Sequence, residues 1–164
     1  MQTQNSAFLV SPRIIALKQD LASGNMKALD AFWSNVAVEG TPLIEPIPDD
    51  DRYAFVTFLW RADETVEQVV LYSELLRGMW WNNWTDALLN RLLQTNLYYR
   101  TYRVRTGMCF VYWISPDHPL VHVKDVRDWD EFMAHCQVDP FNPNMFIQDK
   151  QHGKDKKRKN QNIA

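Results

Sequence analysis

The sequence predicts a mostly β protein, built as a β-sandwich with helices near its N-terminus packed against the sheet. Runs rich in aromatic and β-branched residues recur between residues 53 and 114 and are typical of strands. Before residue 40, apolar residues instead follow helical spacing. Aromatic residues make up 13% of the 164 residues, including seven tryptophans, and we expect most of them to fill the core of one domain.

Two helices are predicted first. Ser11 offers an oxygen to free backbone N–H groups and Pro12 suits the first helical position, so a helix should begin there and stop at Gly24. A second helical run follows directly. Its apolar side includes Phe32 and Trp33, which we expect to pack against the sheet rather than bind a ligand.

Extended segments come next. Residues 40–46 contain two prolines and are predicted to form an extended connector, neither helix nor central strand. After an acidic turn at residues 49–51, strands are predicted over 53–61 and 66–72. The short turn between these two strands favours their pairing as neighbours.

The central prediction is a hairpin. Residues 97–104 and 108–114 both resemble strands, and three residues ending in Gly107 lie between them. A glycine can adopt the left-handed conformation that such a loop requires. We therefore expect an antiparallel pair whose second strand, apolar on both faces, is covered on both sides.

The chain is predicted to contain a flexible lead (1–10), a compact domain (11–147) and a disordered basic tail (148–164). Within the domain, a last short helix is expected over 128–135, with Trp129 at its start.

Charge is unevenly distributed along the chain. Residues 150–164 hold six Lys or Arg and one Asp, so residues 1–149 carry −7 of a total formal charge of −2. An acidic body argues against nucleic acid as the main partner. The sequence has neither a secretory signal nor a long apolar run, so no membrane association is predicted, and two isolated cysteines favour a reducing, cytoplasmic setting.

Catalytic and phosphate-binding motifs are missing from these 164 residues. They contain no G-x-S-x-G elbow, no Walker A loop and no G-x-G-x-x-G. His118 and His122 have metal-ligand spacing on a helix, but Pro119 lies between them. We expect both to be surface histidines, and no metal or cofactor is predicted.

Arginines alternate with aromatic residues in two strands, a pattern suited to a flat anionic ring system through charge and stacking. Alternation places Tyr98 and Arg100 on one face and Thr101 and Arg103 on the other. Only one face of this strand is expected to be in the core, so either of the two sets could be the exposed one. The candidate binding residues are Arg61, Trp80, Trp81, Tyr98, Arg100 and Arg103.

Purely structural explanations of these residues are also open. The alternation could serve to keep an edge strand soluble. The tryptophan-rich loop around Trp80 and Trp81 could fold back as a lid on the sandwich.

Several segments, taken in order, resemble the N-terminal domain of enterochelin esterases. Residues 40–46 and 58–61 carry most of the likeness, supported by Ser11 to Ile14, Phe32-Trp33, 92–101 and 139–143. The resemblance covers residues 11 to about 143 and implies an immunoglobulin-like, early-set β-sandwich fronted by helices. In the family, this module precedes an α/β-hydrolase domain with a serine triad that cleaves the trilactone of ferric enterobactin in the cytoplasm and so releases iron.

The resemblance implies a ferric catecholate siderophore as ligand, with iron present only as part of it, and a separate α/β-hydrolase domain or subunit as a second partner. Because no nucleophile elbow or triad is present, we expect the chain to be a non-catalytic substrate-binding module of a siderophore esterase system, inactive alone. The alternative is a stand-alone early-set interaction module that binds a protein partner or a glycan.

Overall fold

The computed structural model describes residues 9–76, 84–121, 125–147 and 160–163. Within them the chain forms eight strands and three α-helices, so the predicted mostly β class is confirmed. The helices are α1 (Pro12–Ala22), α2 (Lys27–Glu39) and α3 (Trp129–Ala134). In these ranges no helix has the length and apolar character that a bilayer-spanning segment needs.

The strands form two antiparallel four-stranded sheets. Sheet A has the order β1 (Leu43–Ile47), β2 (Asp50–Arg61), β5 (Leu97–Arg105), β4 (Asn90–Arg91). Sheet B has the order β3 (Val69–Ser73), β6 (Val111–Pro116), β8 (Asn160–Ile163), β7 (Met145–Ile147). β8 lies within the segment that the sequence predicts to be a disordered basic tail.

One core lies between the two sheets. We call it the inter-sheet cluster, and its buried members come from both sheets and the segments that join them. Phe58 is at its centre, edge-to-face with Tyr112 at a ring-centroid distance of 4.8 Å and 6.0 Å from Phe110. The members include Val56, Phe58, Tyr98, Val104, Val69, Leu71, Leu76, Phe110, Tyr112 and Ile114.

A second core, the helix cluster, covers the opposite face of sheet A. It joins the apolar sides of α1 and α2 to Leu59 and Leu97 of the sheet. As predicted, the Ser11 side chain caps α1, and Phe32 and Trp33 are buried against the sheet. Both faces of sheet A are therefore core, which corrects the expectation that only one of them would be.

The predicted hairpin of residues 97–104 with 108–114 is wrong. β5 pairs along its length with β2 and at Tyr98 and Tyr99 with the two-residue β4, and β6 pairs with β3 and β8 instead. Gly107 does adopt the expected positive φ, 81°. The chain then crosses between the sheets and inserts Phe110 into the inter-sheet cluster.

Two smaller predictions also change. The strands predicted over 53–61 and 66–72 are not neighbours, because β2 belongs to sheet A and β3 to sheet B. The connector over residues 40–46 instead contributes β1, at the edge of sheet A, where its proline is tolerated. The last helix forms as expected, with the Asp128 side chain as its N-cap.

Residues 139–143, the closing segment, tie the end of α2 to sheet B. The Tyr112 hydroxyl donates to the buried Asp139 carboxylate at 2.9 Å and accepts from the Asn142 amide at 2.9 Å. The Thr41 backbone N–H donates to the Phe141 carbonyl at 3.1 Å. Desolvation of the buried carboxyl raises the pKa of Asp139.

Candidate functional site

The structure separates the three arginines predicted to form one site. Arg61 pairs in register with Leu97, whereas Arg103 pairs with Phe55. The two arginines are thus about six strand residues apart, or roughly 20 Å. Arg100 faces the inter-sheet cluster, on the same side of β5 as Tyr98, whereas Arg61 lies on the helix-covered face with Leu59. Trp80 and Trp81 lie outside the described residues.

Arg100 is held inside the protein. Its side chain is 12% exposed and lies 3.8 Å from the Asp86 carboxylate, and it donates to the Leu88 carbonyl at 3.5 Å. Its guanidinium lies 5.8 Å from the Tyr102 ring centroid. Burial raises the pKa of Tyr102, although the Arg100 charge opposes that shift. Arg100 therefore ties the segment containing Asp86 to sheet A.

Arg103 is an exposed residue of β5 whose side chain contacts Asp50, at the opposite end of β2 from Arg61. Its guanidinium stacks 3.5 Å above the Tyr53 ring centroid and pairs with the Asp50 carboxylate. Contact with Arg103 is the main cause that lowers the pKa of Asp50. Arg103 therefore already has an ion-pair partner in the same chain, a carboxylate that it shares with Arg52.

Arg61 and Tyr98 do come together, in a cleft of about 660 Å³ at the end of sheet A. A further arginine, Arg91, lines the same cleft and pairs in register with Tyr98, although it was not among the predicted binding residues. We call this space the arginine cleft. Its lining residues are Arg61, Ala62, Asp63, Glu64, Arg91, Gln94, Asn96 and Tyr98.

Each guanidinium of the arginine cleft lies over an aromatic ring. Arg61 lies 5.6 Å from the Trp33 ring centroid, and Arg91 lies 5.9 Å from that of Tyr98. Stacking of this kind holds the planar cation while leaving its edge free to donate hydrogen bonds. Trp33 and Tyr98 are themselves buried in the two cores, so both rings are fixed.

The loop between β4 and β5 sets the shape of this cleft. The Arg91 Nε donates to the Thr95 carbonyl at 2.7 Å, and the Thr95 hydroxyl donates to the Leu92 carbonyl at 2.6 Å. The Ala62 backbone N–H donates to the Asn96 carbonyl at 2.9 Å, which joins the end of β2 to the loop. These bonds fix the positions of both arginines relative to each other.

The arginine cleft brings together two arginines that form no ion pair among the described residues. In the part of the chain that the structure describes, Arg13, Arg52, Arg100 and Arg103 each form an ion pair, but neither Arg61 nor Arg91 does. Asp63 and Glu64 also line the cleft without pairing with them. Apart from the Arg91 Nε, which is bonded to the Thr95 carbonyl, the N–H groups of both guanidiniums can therefore donate to an anionic ligand bound in the cleft.

His118 does not lie on the surface as predicted. It is 1% exposed, and its ring contacts Phe132 at a centroid distance of 4.4 Å and Trp84 at 5.8 Å. A turn at Asp117, with φ 49°, directs the chain inward after β6, which proline spacing alone could not reveal. His122 lies outside the described residues, and among those described no cluster of three or more metal-ligating side chains occurs.

Residues 55–159 match the family described as enterochelin esterase, N-terminal. Iron(III) salmochelin esterase of Escherichia coli O6:H1 is 28% identical over 99 residues, which is 60% of this chain and 24% of that protein. Iron(III) enterobactin esterase of Yersinia enterocolitica is 29% identical over 142 residues, 76% of this chain and 39% of that protein. The chain thus spans no more than about two fifths of either relative.

Solved structures share the fold. The enterobactin esterase FES from Shigella flexneri, crystallised with 2,3-dihydroxy-N-benzoyl-serine, superposes with a TM-score of 0.55 at 16% identity, over 82% of this chain and 34% of that one. The same protein in the presence of enterobactin gives a TM-score of 0.52 at 17% identity, with the same coverage.

Proposed function

The chain belongs to the enterochelin esterase N-terminal family, and from this premise we propose that it is the non-catalytic substrate-binding module of a siderophore esterase system. In that system the ester bonds of a ferric catecholate siderophore are hydrolysed in the cytoplasm and its iron is released. Iron enters as part of the substrate and is not a resident cofactor of the protein.

The choice of ligand rests on chemistry as well as on kinship. The relatives are named as esterases of iron(III) enterobactin and iron(III) salmochelin. A ferric catecholate is a flat-sided, anionic, oxygen-rich ligand, and guanidinium groups recognise such oxygens by charge and by hydrogen bonds together. The arginine cleft offers both.

One observation carries the assignment to this cleft: Arg61 and Arg91 line the same space, each stacked on a ring and neither in an ion pair. Its volume of about 660 Å³ lies within the range of small-molecule sites, roughly 300–1,000 Å³. Asp63 and Glu64 also line the cleft and would repel ligands whose negative charge is spread all round, and so restrict how the anion binds.

Bond cleavage is assigned to a separate α/β-hydrolase domain or subunit. The support for this division is that both named esterases are more than twice as long as the region they share with this chain. In the proposed division, the arginine cleft binds and orients the substrate while the hydrolase supplies the nucleophile.

The two-sheet arrangement is proposed to be an immunoglobulin-like early-set sandwich. The support is that two antiparallel four-stranded sheets share the inter-sheet cluster. Superposition of a crystal structure of this chain on early-set domains tests this assignment, and a different strand order would reject it.

Calorimetric titration of the full chain with ferric enterobactin, with ferric citrate as the control ligand, tests the ligand assignment. Saturable binding of the catecholate alone is expected, and Arg61→Ala or Arg91→Ala should each weaken it by about tenfold, the loss of one charge-assisted contact. Calorimetry is preferred because the coloured complex absorbs where tryptophan emits.

Arg52→Ala is the matched control, because Arg52 lies at the other end of β2 and its side chain is 77% exposed. Its affinity should equal that of the wild type. Equal affinity in all three variants would remove the arginine cleft from the binding site, and absence of any catecholate binding would reject the module function.

A further inference from the structure

A second concave surface, the α3 groove, lies between α3 and the segment that follows β6. Its floor is apolar, formed by Pro119, Val121, Val126 and Phe132, and it encloses about 240 Å³. None of its lining residues belongs to the arginine cleft. The ring of His118 packs edge-on against Phe132 at 4.4 Å, so the floor is supported from below by a buried residue.

Large apolar side chains remain in water at this surface. Leu120 is 42% exposed, Val121 40% and Trp129 46%. The Trp129 ring packs edge-to-face on Phe132 at 5.4 Å, so it adjoins the groove. Exposed apolar side chains beside a groove with a polar border are typical of a protein interaction site.

Among the residues that the structure describes, the rim of the groove is mainly acidic. Asp125, Asp128 and Glu131 line it, opposed by Arg127 and by His135. The Asp128 carboxylate is already used as the cap of α3, where it accepts from the backbone N–H of Asp130 and Glu131. Among the described residues, Asp125 and Glu131 form no ion pair.

Size and charge together decide what fits. A volume of about 240 Å³ is below the range of small-molecule sites but suits one large side chain. Anionic lipid surfaces and nucleic acids would be repelled by the acidic rim. We propose that the α3 groove docks a segment of a partner protein that presents one large apolar side chain flanked by lysine or arginine.

In this complex the apolar side chain lies on Phe132 and displaces water from the exposed patch. The flanking cations meet Asp125 and Glu131, and one of them can stack on the exposed face of Trp129. Because the floor is already packed, the groove needs little rearrangement to accept such a segment.

Heteronuclear NMR titration of the full chain tests the proposal with the acetylated hexapeptide Lys-Lys-Ser-Phe-Lys-Lys as probe. Saturable shifts of the Trp129 indole N–H and of Val121 and Val126 are expected. Asp125→Lys should weaken binding by about fivefold, the effect of reversing one rim charge. Asp20→Lys makes the same charge change on the exposed side of α1 and should leave affinity unchanged.

Glu131→Gln provides a second rim variant that keeps side-chain size, in case Asp125→Lys alters the native spectrum. Equal binding of Lys-Lys-Ser-Ser-Lys-Lys would overturn the proposal, because attraction would then need no apolar anchor. It would also fail if millimolar peptide left the Trp129 signal unmoved, or if vesicles of phosphatidylcholine and phosphatidylserine shifted that signal and the peptide did not.

Discussion

Gly40, at the end of α2, lies directly against the closing segment. It ends α2 with φ 87°, and a Cβ atom added there would lie 2.9 Å from the Pro143 Cδ and 3.2 Å from the Phe141 carbonyl oxygen. Two separate requirements therefore act on this one position. One is backbone freedom in the left-handed region, and the other is space for the closing segment.

Gly40→Ala should destabilise the protein markedly more than Gly24→Ala. Gly24 has nearly the same φ, 89°, but nothing lies within 4 Å of its added Cβ. The Gly24 variant should lose only the backbone preference, about 1 kcal/mol, and the Gly40 variant about 2–4 kcal/mol because overpacking is added. Urea unfolding measures both, and equal losses would mean that the closing segment simply moves away.

His118 should make stability depend on acidity. Burial lowers the pKa of His118 from its usual 6.5, so below that pH the unfolded chain binds the proton more readily than the folded one. Stability should therefore fall as pH drops below about 6.5, by at most about 1.4 kcal/mol per pH unit. His118→Leu should remove that part of the slope.

Urea midpoints at about pH 7.5 and pH 5.5, compared between wild type and His118→Leu, measure this effect. The charge of His135, whose ring centroid lies 5.7 Å away, adds to the lowering of the pKa of His118 and is part of the effect measured. Identical slopes in the two proteins would show that His118 takes up its proton without leaving its site.

Single arginines show what sequence reasoning could and could not reach. Arg61 does lie over an aromatic ring, but the ring is Trp33 of α2 and not one of the aromatic residues that alternate with arginine in the strands. Strand alternation cannot show which carboxylate will meet a given guanidinium. It therefore predicts Arg100 and Arg103 as binding residues, although the structure pairs them with Asp86 and Asp50. Arg91 was missed because its place beside Tyr98 depends on the pairing of β4 with β5.

Among the elements, α1 depends on one residue that also joins it to sheet A. The Ser11 side chain accepts from the Arg13 and Ile14 backbone N–H groups at 3.1 and 3.3 Å, and its hydroxyl donates to the Glu45 carboxylate of β1. Its own backbone N–H donates to the Thr101 hydroxyl at 3.2 Å. The cap is fully buried.

Ser11→Ala should cost about 1–2 kcal/mol, because the helix loses its cap and the Glu45 carboxylate loses a buried donor. Ser23→Ala, at the exposed C-terminal end of the same helix, should change stability by less than about 0.5 kcal/mol. Thermal unfolding followed by far-UV circular dichroism compares the two. A loss at Ser11 no larger than that at Ser23 would contradict the role given to the cap.

Elements were easier to predict than their partners. The helix ends followed from local chemistry at Ser11, Gly24 and Gly40, and the structure places them there. The predicted hairpin is wrong because a short glycine-containing connection can lead either to a neighbouring strand of the same sheet or to a strand of another sheet. The pairing of β5 with β2 along its length depends on residues far from β5 in sequence.

For the whole molecule, sheet A acts as a shared wall between two cores. Phe58 and Leu59 are adjacent in β2, yet the first lies in the inter-sheet cluster and the second in the helix cluster, each with no exposed surface. Loosening either core must disturb the same strand. We therefore expect the protein to unfold as one cooperative unit.

Phe58→Ala and Leu59→Ala should each lower the free energy of unfolding by about 2–5 kcal/mol. In both variants, unfolding curves followed by tryptophan fluorescence and by far-UV circular dichroism should coincide. Two separate transitions in either variant would mean that the helix cluster and the inter-sheet cluster unfold independently.

At this scale the sequence supported the mostly β class and the family, since ordered motifs such as residues 40–46 and 139–143 were recognisable. In the structure these two motifs contact each other. The Thr41 backbone N–H donates a hydrogen bond to the Phe141 carbonyl, and Pro143 packs on Gly40. Their proximity could not be read from either motif alone.

The closing segment also bears on how the chain folds as it is synthesised. Gly40 and Pro143 are roughly 100 residues apart, and contacts of such long range form late and slowly. While the protein is still on the ribosome, α1, α2 and β1 emerge long before the segment that covers the end of α2. Until residue 143 leaves the exit tunnel, the buried partners Asp139 and Asn142 cannot complete the site around Tyr112, so the nascent domain depends on its last third to acquire its native stability.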